Sequence, residues 1–205
     1  MSRIFLAGAA GVIGRRLTPL LLAHGHAVWG TTRSPGNVEF LRKLGVRLVV
    51  VDVFDAEALA TAVLDAKPEI VMHQLTDLAA VQDPAQRSSA LARNAHIREE
   101  AQPCYSRAQG RGASADRPER RLGLCTWAST LSRRPSVGSE CGGRPVVSAR
   151  GLEALEGQVL GASPMVEGLV LRFGRLYGPG SGTDTPPSPP GGSRRCGGLC
   201  RAARD

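Results

Sequence analysis

RIFLAGAAGVIGRR, residues 3–16, runs four apolar residues into a glycine-rich turn and out into the opening of a helix. Gly8, Gly11 and Gly14 stand at the spacing G-x-x-G-x-x-G, directly after a strand pattern and directly before a helical one. A turn this tight favours residues without a Cβ, and the helix start that follows presents unpaired N–H groups to an anion. Strand, glycine turn and helix together predict the pyrophosphate-binding turn of a dinucleotide site.

Working outward, Ile4–Ala7 reads as a buried first strand, and Val12, Ile13, Leu17, Leu20 and Leu21 recur at helical spacing up to a stop at Gly25. Residues 27–33 (AVWGTTR) form a second strand, with Ser34-Pro35 as N-cap and first-turn proline of a short helix reaching Leu44. Residues 47–53 (RLVVVDV) read as a third strand covered on both faces. Asp55 caps a helix through Ala66 that Pro68 ends, and residues 69–76 (EIVMHQLT) form a fourth strand. Strands alternating with helices predict an α/β fold, a Rossmann-like doubly wound parallel sheet. A helix is expected over residues 84–100. Residues 101–148 hold no steady period, and only Leu122–Trp127 there reads as a strand. Order returns at Ala149, with Leu152, Leu155, Val159 and Leu160 on one helix face and residues 166–173 as a strand. The pattern predicts an incomplete sheet with an irregular segment at 101–148, a domain over 1–184 and a disordered tail over 185–205, which is rich in Pro, Gly and Arg.

Composition narrows the classes. The formal charge of +8 comes almost wholly from arginine, since Lys43 and Lys67 are the only lysines. The excess sits between residues 101 and 148, where the arginines follow no helical face and have only Trp127 near them to stack on a base. Nucleic acid is therefore a disfavoured partner. No apolar run is long enough to cross a membrane, and Ile4–Ala7 is too short for a signal peptide, so the expectation is a cytoplasmic protein. Five cysteines, all after residue 100, argue against a disulfide framework. His24, His26, His73 and His96 have no metal-ligand spacing with one another or with a cysteine, and His73 reads as a buried strand-end residue.

FLAGAAGVIGRRL, the strand-end pair Asp52-Val53, IVMHQLT and LRFGRLYGPG, in that order, resemble the extended short-chain dehydrogenase/reductases of the NAD(P)-dependent epimerase/dehydratase group, over about 1–100 and 149–184. The resemblance implies that Gly8, Ala10, Gly11, Val12 and Ile13 line the cofactor pyrophosphate. It places Asp52 and Val53 by the adenine, and Leu75 and Thr76 by the ribose and nicotinamide. The lesser alternative for Asp52 is a loop or helix-capping carboxylate. At the end of the second strand an NAD site usually carries an acid; here Arg33 stands there and the nearest acid is Glu39. An arginine suits a 2′-phosphate, so NADP is favoured over NAD. The small-molecule substrate is not identified.

The resemblance also implies a Tyr-x-x-x-Lys pair, in which the lysine lowers the tyrosine pKa for proton transfer. No lysine follows Lys67, and neither Tyr105 nor Tyr177 has one four residues on. Aligning the helix before LRFGRLYGPG puts Ser148 and Leu152 at the two positions, and no catalytic residue is assigned; Ser129 and Thr130 fall roughly where the family has its Ser/Thr. One lost base links this to the change of texture. GAG GGC ACA ACC CTG CTA, which encodes a family-like Glu-Gly-Thr-Thr-Leu-Leu, becomes Glu-Ala-Gln-Pro-Cys-Tyr on losing one G, as read from Glu100 to Tyr105. A frameshifted middle, recovery near Ala149 and a second shift near Thr185 follow. The expectation is an NAD(P)-binding protein of impaired catalysis. The alternative is a non-catalytic NADPH sensor or interaction protein.

Overall fold

The computed structural model describes residues 1–76, 83–111, 121–126, 146–161, 167–172 and 178, with the backbone alone for 101–111, 121–126, 146–149 and 172. The elements run β1 (Arg3–Ala7), α1 (Gly14–Ala23), β2 (Ala27–Thr32), a 3-10 turn (Pro35–Asn37), α2 (Val38–Lys43), β3 (Arg47–Val50) and α3 (Ala56–Ala66). They continue β4 (Ile70–His73), α4 (Arg87–Arg111), β5 (Arg121–Thr126), α5 (Val146–Leu160) and β6 (Glu167–Arg172). All the strands pair in parallel in the order β3-β2-β1-β4-β5-β6. The chain thus starts at the centre, winds to one edge, then crosses back to β4, so the strand order reverses between β1 and β4. Two compact units divide the chain, Met1–Gly174 and Arg175–Asp205, and the sheet lies in the first.

The period of two along β1 explains the two-sided core. Phe5 and Ala7 pack on one face with Val71, Leu59, Val63, Leu155 and Val159, the last four from α3 and α5. Leu6 packs on the other with Val28, Leu41 and Val46, flanked by Leu17 and Leu21 of α1. Asp55 caps α3 as expected, its carboxylate accepting from the Ala58 amide at 3.0 Å.

Several boundaries differ from the sequence reading. The third strand ends at Val50, not Val53, and it is an edge strand: Val50 is 61% exposed. Val51 and Val53 remain buried beyond its end, which is why the apolar run looks like one covered strand. Helix α1 begins at Gly14, with Val12 and Ile13 in the turn. Ser34 does not cap through its hydroxyl; its amide instead donates to Oγ1 of Thr32 at 3.1 Å. Lys67, in the left-handed region at φ 45°, ends α3 one residue before Pro68. The fourth strand stops at His73. The expected helix starts at Arg87 and continues to Arg111, so the segment 101–148 is not uniformly irregular: it holds the end of α4, β5 and the start of α5. On α5, Leu155 and Val159 are buried, but Leu160 is 60% exposed and off the packed face. The tail expected over 185–205 lies outside the described residues.

Candidate functional site

The turn after β1 owes its shape to two of its three glycines. Gly8 has φ +90°, and a Cβ there would stand 2.7 Å from the Gln74 carbonyl oxygen just beyond β4. A Cβ on Gly14 would collide with the Gly8 carbonyl oxygen and come within 2.6 Å of that of Ala9, so the first turn of α1 sits directly on the loop. Gly11 differs. It is exposed, its amide donates to the Gly8 carbonyl at 3.0 Å, and a Cβ would approach that oxygen only to 3.2 Å. Gly8 and Gly14 therefore set the loop, while Gly11 leaves its outer surface open to a ligand.

The carboxyl ends of four strands are tied together around this turn. The Gly8 amide donates to Oγ1 of Thr31 in β2 at 3.2 Å. The Gln74 amide donates to the Ala7 carbonyl at 2.8 Å, and the Val51 amide to that of Thr32 at 3.2 Å. In open α/β sheets, ligands bind outside these ends, at the point where the strand order reverses. That point here is the β1–β4 boundary, under Gly8.

The residues that sequence assigns to the cofactor follow the ends of strands β1 to β4. Gly8, Ala10, Gly11, Val12 and Ile13 follow β1; Ala10, Val12 and Ile13 are partly exposed. Arg33 follows β2 directly and is exposed. Glu39, the nearest acid in sequence, lies 3.8 Å from Arg42 and 3.6 Å from Lys43 on α2. Asp52 follows β3 and is exposed; its Oδ1 accepts from the Phe54 amide at 3.1 Å, a loop-forming bond. Val53 packs into the core with Leu59 and Val63. Leu75 is half-buried and Thr76 exposed, both past the end of β4. Thr31, Gln74 and Arg15 touch the glycine-rich loop, and Asn37 holds Arg15, contacts that sequence reasoning misses. A buried threonine at a strand end was the visible signal for Thr31; the other three are joined to the loop only by the fold.

His73, the last residue of β4, is 2% exposed. Burial, and then the positive charge of Arg98 on α4, push its pKa down to about 4, so the ring is neutral near pH 7. Arg98 is itself buried, and that burial lowers its pKa. Ser148 and Leu152 both lie on α5, four residues apart as the missing pair would be. Ser129, Thr130 and Tyr177 lie outside the described residues. Among those described, no helix is long and apolar enough to cross a membrane.

Residues 4–100 match the NAD dependent epimerase/dehydratase family. That stretch is 97 of the chain's 205 residues, a little under half of its length, and over it the chain is similar to that family. A 3-diazoavenalumate denitrifying reductase of a Streptomyces species is 36% identical over 189 residues, which is 88% of this chain and 58% of that protein. Among solved structures, the Bordetella bronchiseptica enzyme WbmH, in complex with NAD+, superposes with a TM-score of 0.61 at 16% identity, over 87% of this chain and 57% of that one. The UDP-glucose 4-epimerase of Thermotoga maritima, with UDP-glucose, gives 0.58 at 18%, over 85% and 54%. The structures share the fold; the chain spans little more than half the length of these relatives. The architecture the chain shares with these structures is a Rossmann-like fold, a parallel sheet flanked by helices.

Proposed function

We propose that this chain binds NADP(H) across the β1–β4 boundary and is the cofactor-binding part of a reductase-type member of its family, with impaired proton transfer. The observation that carries the reading is the turn itself: two glycines without room for a Cβ hold it against Gln74 and Ala9, and a third is open above it. Gly8, Ala10, Gly11, Val12 and Ile13 would hold the pyrophosphate, Asp52 and Val53 the adenine, and Leu75 and Thr76 the nicotinamide ribose. Arg33 beyond β2, with Glu39 engaged by two cations, favours a 2′-phosphate over a bare ribose diol. When bound, the cofactor supplies hydride chemistry at its nicotinamide. The chain's own part is to fix the phosphates with backbone N–H groups and to close the buried side with Gln74 and His73. It has no Tyr-x-x-x-Lys to move the proton, since no lysine follows Lys67.

Fluorescence titration with NADPH and NADH, alongside a far-UV folding check, tests the reading. Saturable binding with NADPH tighter is expected. No turnover is expected on a panel of carbonyl and sugar-nucleotide substrates, and a non-catalytic NADPH sensor is the form this reading takes if the chain acts alone. Hydride transfer that Gly11→Asp abolishes would overturn the impairment. The family match stops at residue 100, where the lost base would change the frame; this supports a shifted frame over 101–148, which sequencing the coding DNA decides.

A further inference from the structure

Arg15, one residue into α1, is exposed yet held on three sides. Its Nε donates to the Ala10 carbonyl at 2.7 Å, its Nη2 donates to Oδ1 of Asn37 at 2.9 Å, and its guanidinium carbon lies 4.4 Å from the centre of the Phe40 ring. Asn37 belongs to the turn that follows Arg33, and its amide donates to the Ser34 carbonyl at 3.1 Å. The guanidinium is thus fastened between the glycine-rich loop and the residues just past β2. Those two bonds use two of its five N–H groups. Among the described residues neither Arg15 nor Arg33 is in an ion pair. Stacking on Phe40 fixes the plane of the fork, and a fixed fork loses little entropy on meeting an oxyanion.

We propose that Arg15 is a cofactor-specificity residue, forming with Arg33 a two-arginine clamp for the 2′-phosphate of the adenine ribose, with Asn37 as its positioning residue. The ribose of a dinucleotide lies by the end of the second strand of such a sheet, which is where Arg33 begins and where Asn37 brings Arg15. This rests on the NADP reading above and adds a residue from a different element to it.

The test is titration of the full chain with NADPH, NADH, 2′,5′-ADP and 5′-ADP, in the wild type, Arg15→Met and Asn37→Ala. Loss of a charge-assisted fork on phosphate predicts that Arg15→Met weakens NADPH and 2′,5′-ADP by about tenfold or more and changes NADH and 5′-ADP by less than about twofold. Asn37→Ala should move the same ratio in the same direction by about threefold. The ratio within one variant is its own folding control. Equal weakening of all four ligands, or an unchanged NADPH affinity, overturns the role of Arg15 while a wild-type preference for NADPH leaves the NADP reading standing. A wild type that does not prefer NADPH overturns both.

Discussion

The amide of Gly8 donates to Oγ1 of Thr31 at 3.2 Å, across 23 residues of sequence. Thr31 is 2% exposed, and its hydroxyl joins the glycine-rich loop to the end of β2, so the loop's position depends on a side chain outside the glycine motif. Thr31→Val keeps the shape and removes the acceptor. The variant is expected to lose about 1 kcal/mol of stability and to bind NADPH more weakly, while Thr31→Ser keeps both near wild type. Urea unfolding and NADPH titration of the pair check it; equal behaviour of Val and Ser would remove Thr31 from the site.

The three glycines should separate by what their Cβ would meet. Gly8→Ala is strained by its positive φ and crowded by Gln74, and Gly14→Ala is crowded by the backbone of Gly8 and Ala9. Each is expected to cost about 1–3 kcal/mol. Gly11→Ala meets only one oxygen at 3.2 Å, so it should fold with a change of less than about 1 kcal/mol and yet weaken NADPH, because the added methyl stands on the open surface of the loop. Thermal melts and titrations of the three variants test the division.

Much of this site is legible in sequence because backbone shape demands particular residues: positive φ at Gly8 and close approach at Gly14 leave a spacing that survives as letters. The strand positions are legible for a similar reason, since Phe5 and Leu6 must face opposite layers. Strand ends are less so. Val51 and Val53 stay buried after β3 has stopped, and burial is all that an apolar run records. The bond from Arg15 to Asn37 joins residues 22 apart on separate elements, and neither letter announces it. The same holds for Ala95 and Gly151, whose fit exists only once α4 and α5 have packed.

That fit gives a paired prediction on α5. A Cβ on Gly151 would stand 2.9 Å from the Ala95 Cα and 3.1 Å from its Cβ, whereas one on Gly157 would meet nothing within 4 Å. Gly151→Ala is therefore expected to destabilise by about 1–3 kcal/mol. Gly157→Ala, in the same helix, should stabilise by about 0.4–1 kcal/mol through lost freedom of the unfolded chain. Urea midpoints of the two variants must move in opposite directions; a shared direction would mean that α5 does not pack on α4 through Gly151.

His73 should make stability depend on pH in a window set by its two pKa values. In the unfolded chain the imidazole takes up a proton below its ordinary 6.5, whereas in the fold burial and the nearby Arg98 charge delay uptake until about pH 4. Above pH 6.5 the ring is neutral in both states and contributes no slope. Between pH 6.5 and 4 the unfolded state binds the extra proton, so stability falls as pH falls, by roughly 3 kcal/mol over the full window. Below pH 4 both states are protonated and the contribution levels off. Carboxylates titrate in the lower part of that range, so the decisive comparison is between pH 7 and pH 5, wild type against His73→Asn. The variant should show a shallower fall in urea midpoint across those two units, and Arg98→Met, which removes the second cause, should raise the pKa of His73 in an NMR titration. A wild-type midpoint that is flat from pH 7 to 5 would mean that the ring can be protonated in place, and that β4 does not end in a sealed core.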